Sequence, residues 1–227
     1  MALPNSNWIR FRSAWRKEVA TEFRSPQGWF GSVLFGLLTV IAISLSGYYR
    51  RPDGEMAALL LILAILFAVA LAVPRLFLGE DEAATFDTLR VISDPTAAFL
   101  GKTVFALTQV VAQTLLVTGL FFLFTKAEPS NLLAAASGAV AFALATASGV
   151  AFCSSLVLGA ANRWTLALVV SLPVCLPLVF LGVSAVGAGF GVGSGTTGWA
   201  MTAALLLASA AWLSLGALVS GRLWRLG

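Results

Sequence analysis

The sequence has no histidine, only two cysteines, and charge on just 11% of its 227 residues. Without imidazole, the side chain that titrates nearest neutrality and most often binds metals is missing. Cys153 and Cys175 stand at no ligand spacing and fall inside apolar runs, so they read as small packing residues rather than a disulfide or a metal pair. A soluble domain carries about 25% charged residues. Too few polar side chains are left here to cover a water-facing surface. Alternating short strands, the mark of a membrane barrel, are also lacking.

What is there instead is a series of long uncharged intervals, at 27–49, 56–74, 103–125, 129–162 and 164–221. About 20 helical residues cross a bilayer core some 30 Å thick. The first four intervals each supply one span, and the last is long enough for two. Seven glycines between Leu181 and Gly198 place the required turn in that last interval. The expected fold is therefore an all-α membrane protein with one transmembrane domain over 1–227. Its six helices are expected at about 29–48, 56–78, 98–125, 131–160, 164–186 and 199–221. Trp164, Trp199 and Trp224 lie near span ends, as interfacial anchors do. Eleven of the 14 Lys and Arg residues fall on one side if both termini are cytoplasmic, leaving Arg50, Arg51 and Lys126 outside.

Before the first span, "NWIRFRSAWRKEVATEFRSPQGW" begins too far from an apolar core to be a secretory signal. Glu18 and Glu22 count against an organellar presequence. Trp8, Phe11, Trp15, Val19 and Phe23 share about a third of a helix circumference, with most of the basic residues opposite. This predicts an amphipathic helix in the membrane interface beside anionic headgroups, in preference to a solvated basic tail.

Two motifs imitate nucleotide sites. "TAAFLGKT" has Thr96 where a phosphate-binding loop requires Gly, so Lys102 reads as an interfacial anchor. "GSGTTG" (Gly193, Gly195, Gly198) is a chance match in a Gly-rich turn. No acid lies in mid-span to relay protons or sodium. Ser148, Ser154, Ser155 and Ser171 have no base beside them, and Ala141, Ala145 and Gly149 form a small-residue packing ridge. No catalytic, cofactor or metal site is expected. Pro173 and Pro177 should kink the fifth span, which suits architecture, a hinge or the wall of a substrate path alike.

Half of the ten acidic residues sit in "GEDEAATFDTLRVISDP" at 79–95, between the second and third spans. As a helix this stretch has Glu80, Asp81 and Glu82 in its first turn, an apolar ridge of Ala83, Phe86, Leu89 and Ile92, and a stop at Asp94-Pro95. The alternative is a solvated loop whose charges keep it out of lipid. The helical reading predicts a cytoplasmic docking helix that a soluble partner grips.

Here the chain resembles the permeases of ABC exporters, in particular the haem exporter permeases of cytochrome c maturation, the CcmB family. The likeness runs from "WRKEVATEFRSPQGWF" through "RLFLGEDEAATFDTLRVISDPTAAFLGKTVF" to "ANRWTLALVVSLPVCLPLVF". Arg75-Leu76-Phe77, Glu80 to Glu82, Thr85, Asp87, Leu89, Pro95 and Lys102 follow the family pattern without gaps. Ala84 replaces its usual Gly, Phe86 its Leu, and Asp87 its Glu. The resemblance implies an inner-membrane, multi-pass transporter subunit rather than an enzyme. Glu80, Asp81, Glu82, Thr85, Phe86, Asp87 and Leu89 would dock a cytoplasmic ATPase that carries the ATP. A second copy or a related permease and a haem-handling membrane protein are implied partners, with haem as substrate and no nucleic acid. Competing readings are a general ABC permease for lipid, drug or glycan, and a non-transporting membrane scaffold.

Overall fold

The computed structural model describes residues 6–24, 27–46, 52–82, 95–158, 160 and 162–226. Seven helices follow one another among them: α1 (Ser6–Arg24), α2 (Gln27–Ser46), α3 (Gly54–Glu82), α4 (Pro95–Thr125), α5 (Leu132–Leu156), α6 (Arg163–Gly189) and α7 (Gly195–Leu226). No strand occurs among the described residues. The six helices from α2 to α7 are each long and apolar enough to cross a membrane. The molecule is a multi-pass helical membrane protein.

Helix α5 is the axis of the bundle. In its most apolar 18-residue window 78% of residues are buried, against 17% and 22% in the corresponding windows of α2 and α7. The cause is its run of Ala, Gly and Ser, which lets neighbouring backbones come close in the absence of a hydrophobic drive between helices in lipid. Ala141, Ala145 and Gly149 are all buried, and a Cβ on Gly149 would stand 2.8 Å from Val174. Phe152 of α5 stacks on Trp212 of α7 at 5.4 Å. Cys153 and Cys175 are buried free thiols within this packing. The outer helices turn Leu, Val and Phe outward, as Leu172, Leu176, Phe180, Leu207 and Leu218 show.

Helix starts follow local chemistry. The Asp53 carboxylate accepts the Met56 N–H at 2.9 Å to cap α3, and the Asn131 side chain accepts the Ala134 N–H at 3.0 Å to cap α5. The Asn131 N–H and Ser130 hydroxyl both donate to the Gly189 carbonyl, tying the end of α6 to the start of α5.

Two expectations need correction. The turn expected between spans ending near Val186 and starting near Trp199 is shorter, because only residues 190–194 lie outside helix. Gly191 and Gly193 supply the left-handed backbone there, at φ +82° and +75°. The other glycines serve contact instead: a Cβ on Gly189 would collide with the Ala135 backbone and one on Gly198 with Ala188. The second correction concerns Glu80, Asp81 and Glu82. They do not open a helix of their own; they complete the last turn of α3. Carrying a helix through Gly79 costs about 1 kcal/mol.

Candidate functional site

In the chain the acidic segment connects the end of α3 to the start of α4, so its foot is built from those two helix ends. Phe77 of α3 and Phe99 of α4, both fully buried, meet with ring centroids 5.9 Å apart. Phe99 also fills the space that a side chain at Gly216 of α7 would need. Leu78 is buried in a separate small cluster with Val157 and with Ala167 of α6. The two helix ends are thus fixed to each other and to the last span.

A charged joint adds a third element. Lys102, 4% exposed, extends its ammonium between two helices. Its Nζ lies 3.0 Å from Glu18 Oε1 of α1 and donates to the Leu76 carbonyl of α3, also at 3.0 Å. Glu18 is 7% exposed. Gly101 makes the joint sterically accessible, because a Cβ there would stand 2.7 Å from the Ala14 side chain and 3.2 Å from the Trp15 nitrogen. A bulkier residue would push α1 away and separate the charges. Lys102 is therefore a buried ion-pair partner and not the surface anchor that its flanking position suggests.

The other acid of α1 also has a partner. Glu22 Oε1 accepts the Trp29 N–H at 3.0 Å, occupying one of the open donors at the start of α2. Both carboxylates of this basic helix face the protein.

Of the residues expected to dock a partner, Glu80, Asp81 and Glu82 lie in the final turn of α3. Thr85, Phe86, Asp87 and Leu89 lie outside the described residues. Carboxylates at a helix C-terminus meet the negative end of its dipole. Helix stability thus gives no reason for their placement. Pro173 and Pro177 both lie inside α6, which is helical through both positions, and both are exposed on the outside of the bundle. They do not line its interior. Sequence reasoning missed Glu18, although an acid beside the apolar arc of a basic helix is a legible sign of an internal partner.

Buried polar side chains recur along α4. Ser32 of α2 donates to Gln113 Oε1 at 3.3 Å, while Gln113 Nε2, Gln109 Oε1 and the Thr118 hydroxyl have no hydrogen-bond partner within the described chain. No family model matches the chain, and no curated protein matches it.

Proposed function

We propose that the chain is the permease subunit of an ABC-type exporter, set in the inner membrane with both termini cytoplasmic and driven by a separate ATPase subunit. The observation that carries this reading is the acid-rich connection between the second and third spans. It rises from a foot braced by Phe77–Phe99 and by the buried Lys102, and it keeps three carboxylates where the helix dipole disfavours them. A soluble partner that pairs with those carboxylates would offset that cost. A push on the segment would be delivered to α1, α3, α4 and α7 together. In this reading α1 lies at the cytoplasmic membrane surface and residues 83–94 form the docking helix.

The substrate class suggested by the likeness to the CcmB family is haem, moved or released outward for attachment to cytochromes c. With no histidine in the chain, axial ligation would fall to Met56, Met201 or a cysteine, or to a haem-handling membrane partner, which we favour. Phe86→Ala combined with Asp87→Lys should sharply lower co-purification of the ATPase subunit while membrane insertion stays normal. Undiminished co-purification of the ATPase with this variant contradicts the docking role.

A further inference from the structure

The outward face of α1 is chemically one-sided. Its exposed residues are Arg12, Ser13, Arg16, Lys17, Ala20, Thr21 and Arg24. Arg12, Arg16 and Arg24 fall within roughly a third of the helix circumference at 3.6 residues per turn. Among the described residues none of the three is held in an ion pair. Glu18 and Glu22, the only acids of the helix, are on the opposite side and already engaged.

Level matters as much as charge. The bond from Trp29 to Glu22 ties the end of α1 to the first residue of the first membrane span. Lys102 and Leu76 lie near the ends of their own spans. Helix α1 is thereby fixed at the boundary between hydrocarbon and headgroups. Trp15 and Val19 are half-buried, and Ala14 lies against Gly101, so this part of the apolar arc is turned to the protein.

We infer that the arginine face of α1 is a binding surface for anionic phospholipid headgroups, held side-on by the Glu18–Lys102 joint rather than inserted into the bilayer by its apolar side. A phosphate ester beside a row of guanidiniums is the complementary group at that depth. The inference rests on membrane insertion alone and is independent of any partner ATPase. It distinguishes electrostatic, salt-sensitive contact from hydrophobic insertion, which salt affects little.

The test uses the full chain in nanodiscs made from phosphatidylcholine and phosphatidylglycerol, with the lipid retained by the protein measured after detergent extraction. Wild-type protein should enrich phosphatidylglycerol over phosphatidylcholine, and high salt should abolish the enrichment. Arg12→Gln/Arg16→Gln/Arg24→Gln should lower the preference by about tenfold. The matching triple lysine variant should keep most of it. Equal enrichment by the glutamine variant overturns the proposal, as does a preference that salt leaves unchanged. Loss in the lysine variant as large as in the glutamine variant would overturn the charge-based reading.

Discussion

An ammonium and a carboxylate taken out of water together are tolerated only when each stays within hydrogen-bonding distance of the other and the remaining donors find acceptors. Lys102 meets this condition through Glu18 and the Leu76 carbonyl. Removing one member leaves a buried, uncompensated charge, which costs about 3–5 kcal/mol. Removing both and filling the space with apolar atoms is near neutral. Lys102→Met and Glu18→Leu should each lower the thermal stability of the purified protein steeply, and the double variant should recover most of the loss. Additive losses in that cycle would show that the pair does not act as a unit. The sequence conveys part of this joint. A lysine opening an apolar run looks like a surface anchor, because nothing in its neighbourhood shows that a residue 84 positions away reaches it. At Lys126, the only described non-glycine residue with positive φ, the backbone is left-handed at +55°. Lys126→Gly should raise stability by about 0.5–1 kcal/mol, read as a higher unfolding temperature. An unchanged or lower value would contradict that assignment of the α4 terminus.

Helices in lipid are held by how closely their backbones fit, so the small residues of α5 and the glycines of its neighbours decide the packing. Gly189→Leu would drive a side chain into the Ala135 backbone and should cost at least about 1–3 kcal/mol. Gly195→Ala meets nothing within 4 Å and should leave the unfolding temperature almost unchanged. Equal effects of the two substitutions would refute the α5–α6 contact. All six spans are legible in the sequence because uncharged length alone marks a helix that crosses lipid. Their ends are less so. Helix α3 continues past Leu78 through Gly79 to Glu82, and α7 begins at Gly195 rather than near Trp199, since a helix does not stop where the hydrocarbon does. The glycine-rich turn is misjudged for a related reason. Glycine marks both a turn and a close helix contact, and only the fold says which applies at Gly182 or Gly189.

On the scale of the whole molecule, the chain is a six-span bundle around α5, with α1 joined to it at the foot of the acidic connection. Under the permease proposal, a push on the acidic connection would reach α1, α3, α4 and α7 through this foot. Pro173 and Pro177 face outward from α6, which suits a helix that flexes against lipid or a second copy more than one that lines a channel within a single chain. Replacing both with alanine should alter ATP turnover by the partner ATPase if the spans respond to docking, whereas unchanged turnover would fit a scaffold that only assembles a complex. The most direct measurement is isolation of the tagged chain from its native membranes in mild detergent, with the retained proteins identified by mass spectrometry and the absorbance of the complex recorded for haem. The permease reading predicts an ABC ATPase in stoichiometric amount, reduced at least severalfold by Phe86→Ala/Asp87→Lys, with haem pigment in the complex marking the haem branch of that reading. A wild-type complex that contains no ATPase would contradict it.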